Sequence, residues 1–160
     1  MKLVLATQNP KKLKEMNEIL RHLGVEVVSE AELGVKIEVE ETGETFTDNA
    51  RLKAAAVMQA TGLPAVADDS GLCVDALNGG PGVYSARFGG EGLDDKGRYT
   101  LLLEMLRGQT DRAAHFHTSI VCAFPNGDEL TAEEKAAVSH RGKALRAFAG
   151  ALDDYLKGNK

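Results

Sequence analysis

Residues 2–7 form a nearly continuous apolar run that stops at Thr7-Gln8-Asn9-Pro10, the pattern of a buried strand ending at a helix cap. Asn9 suits the N-cap and Pro10 the first helical position. Behind them Leu13, Met16, Ile19, Leu20 and Leu23 recur at helical spacing, and Gly24 supplies a stop. Val25–Ser29 reads as a second strand, and the alternation Lys36-Ile37-Glu38-Val39-Glu40 as a half-exposed third. The turn Glu41-Thr42-Gly43-Glu44-Thr45 leads into a predicted helix over roughly 46–60, punctuated by Gly62-Leu63-Pro64. Ala65-Val66-Ala67 is a short strand that runs out at Asp68-Asp69-Ser70-Gly71, and residues 78–92 read as a glycine-rich ordered loop.

The second half continues the alternation. A helix is predicted over about 93–107, with Leu102, Met105 and Leu106 on one face. Residues 113–124 alternate as a strand, with Ala114, Phe116, Thr118, Ile120, Cys122 and Phe124 on one side, and Asn126-Gly127 is a turn signal. Thr131-Ala132-Glu133-Glu134 has the form of a capping box that opens a helix. After Ser139-His140-Arg141 a last helix presents Leu145, Phe148, Leu152, Tyr155 and Leu156 to a core. Strands alternating with helices predict an α/β sheet, and neither a repeat nor a linker divides the chain, so residues 1–160 are expected to be one domain.

Charge narrows the partners. The net charge of -5 opposes broad binding to DNA or RNA, which needs a basic surface, yet leaves room for a small anion held by a few local cations. Cys73 and Cys122 stand in apolar surroundings without zinc spacing and read as core thiols of a reducing compartment. The opening residues are too short for a signal peptide and no apolar run has membrane-spanning length, so a cytoplasmic protein with no membrane partner is expected.

The candidate chemistry lies at two junctions. Thr7-Gln8-Asn9, with Lys12 in the first turn, offers free backbone N–H groups and a cation to a phosphate. The alternative is a well-capped helix with solvated lysines at 11, 12 and 14. Asp68 and Asp69 follow a buried strand and, as neighbours, point to opposite faces. One carboxylate can then face a metal while the other faces a water, and Glu41 at another strand-to-helix turn can join the metal. The alternative is a polar turn capped by Ser70. His115 and His117 share a strand face with no third ligand at a recognisable spacing. Gly-x-Ser-x-Gly and Gly-x-x-x-x-Gly-Lys-Ser/Thr are both absent, which argues against a nucleophile elbow and a P-loop.

Together, several stretches resemble the inosine/xanthosine triphosphate pyrophosphatase family. They are Leu5-Ala6-Thr7-Gln8-Asn9-Pro10-Lys11-Lys12, then Glu41-Thr42-Gly43-x-Thr45-Phe46-x-x-Asn49-Ala50-x-x-Lys53-Ala54, then Ala67-Asp68-Asp69-Ser70-Gly71-Leu72. Gly80-Pro81-Gly82-Val83-Tyr84-Ser85-Ala86-Arg87-Phe88 and Glu133-Glu134-Lys135-x-x-x-Ser139-His140-Arg141-Gly142 complete the set. The resemblance implies a mixed, elongated α/β sheet with flanking helices, an active-site cleft between two lobes, and a homodimer. It implies magnesium-dependent hydrolysis of a non-canonical purine nucleoside triphosphate (ITP, dITP or XTP) to the monophosphate and pyrophosphate. Thr7, Asn9 and Lys12 would hold the triphosphate, with Lys53 adding positive charge. Glu41 and Asp68 would place magnesium, and Asp69 would orient or deprotonate the attacking water. Ser70 would line the pocket, and Lys135, His140 and Arg141 would contact base and phosphate. The chain departs from the family between Gly127 and Asp128, where several tens of residues are absent, including the Phe and Asp that would meet the purine. The second lobe is therefore expected to be shortened. A truncated relative that binds nucleotide without turnover is the alternative.

Overall fold

The structure, a computed structural model, describes residues 1–136 and 141–158. Its strands are β1 (Lys2–Leu5), β2 (Glu26–Ser29), β3 (Ala65–Val74), β4 (Gly80–Pro81), β5 (Ala114–Ala123) and β6 (Glu129–Ala136). Its helices are α1 (Pro10–Leu20), α2 (Phe46–Thr61), α3 (Asp95–Met105) and α4 (Arg141–Gly158). The strands form one mixed sheet in the order β2-β1-β3-β5-β6, with β4 paired to β3. β1 runs parallel to β2 and β3, whereas β3, β5 and β6 are antiparallel neighbours. The expected mixed α/β sheet with flanking helices is what forms.

Period-two alternation divides the sheet into two buried faces. On one, Leu3, Leu5, Val66, Ile120 and Cys122 meet Met16 and Leu20 of α1 and Leu145, Phe148 and Leu152 of α4. On the other, Ala50, Ala54 and Val57 of α2 lie over Val4, Ala65, Ala67, Val121 and Ala123. Small side chains on both sides of that second contact let α2 approach the strands closely. α3 is different. It buries none of its residues, and Tyr99, Leu101, Leu103 and Met105 are all exposed. The predicted apolar face of this helix is therefore corrected: Leu106 just beyond it is buried, Leu102 is half-buried, and Met105 is 46% exposed.

Three further expectations change. Residues 36–40 keep their alternation but pair with no strand, because the Ile37 N–H donates to the buried Glu30 carboxylate at 3.1 Å instead of to a ladder. The strand expected to stop before Asp68 continues to Val74, in register with β5 from Ala65↔Ala123 to Val74↔Ala114. The helix expected at Thr131 is instead β6, and α4 starts at Arg141. The turn at Asn126-Gly127 brings residue 129 straight onto the open edge of β5, whose outward backbone groups gain partners along Glu129–Ala136. The pleat then puts Leu130 and Ala132 on the core side, which offsets the helical preference of Ala-Glu-Glu-Lys. Among the described residues no helix is long and apolar enough to cross a membrane.

Candidate active site

β1 pairs with β3 only as far as Leu5↔Val66 and then leaves the sheet. Thr7 turns the chain by accepting the Asn9 N–H on Oγ1 at 3.2 Å, and Asn9 caps α1 by accepting the Lys11 N–H on Oδ1 at 3.0 Å. Between Val66 and Cys73, where β4 takes up the same edge, β3 is paired only with β5 among the described residues, and Asp68 emerges into that gap. Asp68 has the parity of Val66 and faces α1, where the Lys12 ammonium donates to both carboxylate oxygens at 3.0 Å. Asp68 is 5% exposed and Lys12 25%. The helix start and the first acid thus meet, as anticipated from the two junctions.

Asp69 has the opposite parity and faces α2. Lys53 stands there as a hub. Its ammonium donates to the Asp68 backbone carbonyl at 2.7 Å and lies 3.5 Å from Glu41 and 3.6 Å from Asp69 Oδ1. Asp69 Oδ2 is buried with no hydrogen-bond partner among the described residues, and so is Asn49 Nδ2. Asn49 is fully buried, and its Oδ1 accepts the Gly43 N–H at 2.7 Å, which ties the Glu41 turn to α2. Burial pushes the Asp69 carboxyl up from 3.8 to about 6, and Glu41 adds to the rise. Lys53 and the nearby Asn49 amide oppose it without cancelling it. A carboxylate tuned in this way can take a proton near neutral pH.

Lys12, Glu41, Lys53, Asp68, Asp69 and Ser70 line one cleft of about 540 Å³. Thr7 shares an adjoining hollow with Glu41 and Lys53, and Asn9 lies one step further, in a hollow shared with Thr7 and Ser29. The predicted phosphate and metal residues therefore form a continuous strip along the strand ends. Of the base-contacting set, Lys135 alone has a described side chain, and it stands apart from them. Lys135 is exposed on β6 opposite His117, and it does not line the cleft. His140 lies outside the described residues, and Arg141 is described only as the first residue of α4. Among the described residues no group of three or more His, Cys, Asp or Glu side chains closes on a metal site.

Two features escaped the sequence. Glu133 Oε1 accepts from Thr47 and from Ser119 at 3.0 Å and lies 3.4 Å from His117 Nε2, so α2, β5 and β6 are laced together on the rung of the sheet that carries Asp69. The Thr47 hydroxyl holds the Glu133 carboxyl below its ordinary range, and burial lowers the His117 imidazole. No sequence signal announces a contact that depends on β6 being a strand. The other is the segment 82–87, which forms the opposite wall of the cleft through Val83, Ala86 and Arg87. It is latched to β3: Ser85 Oγ accepts the Leu72 N–H at 3.0 Å and donates to the Gly82 carbonyl at 2.7 Å. A Cβ at Gly71 would stand 2.3 Å from the Gly82 oxygen, so only glycine allows this approach.

Fold and site together define an α/β protein with an acid-and-lysine cleft beside the carboxyl end of β1, the kind of place where open sheets bind ligands. Residues 3–131 match the Ham1 family. The chain is 39% identical to a dITP/XTP pyrophosphatase of Exiguobacterium sp. over 196 aligned positions, covering 99% of this chain and 100% of that protein. It is 42% identical to a dITP/XTP pyrophosphatase of Salmonella typhimurium over 193 positions, covering 94% of this chain and 98% of that one. The solved structure of a Ham1 protein from Coxiella burnetii superposes with a TM-score of 0.90 at 34% identity, covering 96% of this chain and 99% of the other. The chain belongs to the Ham1 family. With 160 residues it is shorter than these relatives, as a missing internal segment requires.

Proposed function

We propose that this chain hydrolyses non-canonical purine nucleoside triphosphates, dITP, ITP and XTP, to the monophosphate and pyrophosphate, as a cytoplasmic, magnesium-dependent enzyme. The relatives' activity supports the reaction. The observation that carries it on this chain is Asp69: a carboxylate at the cleft, raised to about 6, with one oxygen buried and unpartnered. In this reading the Asp69 carboxylate accepts a proton from a water as the water's oxygen bonds to the α-phosphorus. The anhydride bond between the α-phosphorus and its bridging oxygen breaks, and pyrophosphate leaves with the electron pair. Lys12 and the capped start of α1 bind the triphosphate, and Lys53 holds Asp69 and Glu41 in place while spreading positive charge.

The donor set fits magnesium. Glu41 and Asp68 offer hard oxygen ligands, and the Lys12 and Lys53 ammoniums already occupy positions where those carboxylates call for a cation. Two carboxylates without a closed cage match an ion that completes its shell with water and substrate phosphate. When bound, magnesium neutralises phosphate charge and fixes the geometry of the attack. The exposed side chains Tyr99, Leu101, Leu103 and Met105 support a homodimer in the same reading. Incubating the purified chain with dITP and magnesium and assaying pyrophosphate tests the proposal. Binding of dITP without pyrophosphate release selects a non-catalytic relative, and orthophosphate release selects a phosphatase of another kind.

A further inference from the structure

We propose that Arg87 is a substrate-binding residue of this cleft, a guanidinium parked over Tyr84 that turns onto the polyphosphate when nucleotide binds. The proposal rests on the triphosphatase reading above and adds to it a residue that neither the junction motifs nor the carboxylate set pointed to.

The first argument is charge. Lys12, Lys53 and Arg87 line the same cleft as Glu40, Glu41, Asp68 and Asp69. Both ammoniums are engaged by protein acceptors: Lys12 by Asp68 at 3.0 Å, Lys53 by the Asp68 carbonyl at 2.7 Å and by Glu41 and Asp69. A tetra-anionic triphosphate entering here meets carboxylates whose lysines are already committed to them. Arg87 is different. It is exposed, and among the described residues its contact is an aromatic one, with the guanidinium carbon 5.3 Å from the centre of the Tyr84 ring. A cation over an exposed ring is held weakly, a small barrier to leaving it for a phosphate.

The second argument is placement. The segment carrying Arg87 is pinned to β3 by Ser85 at Leu72 and by the close approach of the Gly82 carbonyl to Gly71, directly after Asp68-Asp69-Ser70. The backbone of the wall is thus fixed beside the acids, while the exposed side chain rests against Tyr84. A planar guanidinium presents paired N–H donors matched to phosphate oxygens, which an ammonium does not. Lys12 and Lys53 divide their charge between the carboxylates and the phosphates; Arg87 adds a donor fork that, among the described residues, no carboxylate engages.

The test compares wild type, Arg87→Ala and Arg87→Lys. With dITP and magnesium, Arg87→Ala is expected to raise KM about ten- to a hundredfold with a smaller change in kcat, and Arg87→Lys to recover part of the loss. Inhibition by inorganic pyrophosphate should weaken in parallel. Because the side chain is exposed, the Tm of Arg87→Ala should stay that of wild type, which separates this role from a structural one. Calorimetric titration of inorganic tripolyphosphate into wild type and Arg87→Ala reads the contact without turnover. Unchanged KM and pyrophosphate inhibition in Arg87→Ala overturn the proposal, as does equal tripolyphosphate binding, or none, in both chains. Loss of pyrophosphate release in wild type overturns the triphosphatase reading instead, and the tripolyphosphate titration still decides Arg87.

Discussion

Replacing Asp69 by Asn should make the protein more stable and nearly inactive at once. The carboxylate is held in a place that disfavours its charge: burial lifts the pKa from 3.8 to about 6 against the opposing Lys53 ammonium and Asn49 amide. The folded state therefore binds the proton more tightly than the unfolded state does. That contribution to stability is complete below about pH 4 and is lost as pH rises through about 6, so at pH 7 and above the ionised group is a net cost. At roughly 1.4 kcal/mol per pKa unit the ceiling is about 3 kcal/mol. The side chain is 13% exposed, and the Lys53 ammonium lies 3.6 Å away, so about 1–2 kcal/mol is expected to be recovered by a neutral side chain of the same shape. In a domain of this size that is a rise in Tm of about 3–6 °C. Thermal melts of wild type and Asp69→Asn between pH 5 and pH 8 should show a gap that opens as pH rises. Pyrophosphate release from dITP should fall about a hundredfold or more. A variant no more stable than wild type at pH 8, with a gap independent of pH, refutes the assignment of a strained carboxylate.

Other substitutions probe separate parts of the site. Lys53→Met removes the cation that opposes the rise of Asp69, so the acidic limb of the pH profile of kcat/KM should move to higher pH. Lys12→Ala should raise KM for dITP and lower stability by about 1–3 kcal/mol in urea titration, since Asp68 is 5% exposed and loses its ammonium. Asn49→Ala deletes the acceptor of the Gly43 N–H at 2.7 Å inside a fully buried position, and should cost about 1–3 kcal/mol. Gly71→Ala sets a methyl 2.3 Å from the Gly82 oxygen and should lower Tm while raising KM, by pushing the Arg87 wall off β3. Turnover on ATP and GTP should approach that on dITP more nearly than in a full-length relative, because the absent segment is the one the family resemblance assigns to the purine.

Local signals proved readable where the chain folds by local rules. The cap at Asn9, the proline behind it and the period of Leu13, Met16 and Leu20 define α1, and α2 and α4 follow from the same kind of pattern. What failed was set by partners far along the chain. Lys36-Ile37-Glu38-Val39-Glu40 alternates like a strand, but Glu30 takes its backbone N–H and no strand lies beside it. Thr131-Ala132-Glu133-Glu134 looks like a capping box until the hairpin at Asn126-Gly127 presents it to β5, and then alternation decides. The site divides in the same way. Asp68, Asp69 and Lys12 were legible because strand parity and the first turn of a helix are local geometry. Ser85 owes its place to a tertiary contact with Leu72, and Asn49 and Arg87 to the course of the loops that bring them to Gly43 and Tyr84.

The most direct test is the product analysis of dITP with the purified chain, with and without magnesium, alongside Asp69→Asn. The account predicts deoxyinosine monophosphate and pyrophosphate in equal amounts from wild type with magnesium, and almost none from Asp69→Asn or after chelation. Orthophosphate in place of pyrophosphate, or turnover that survives the loss of the Asp69 carboxylate, would contradict it.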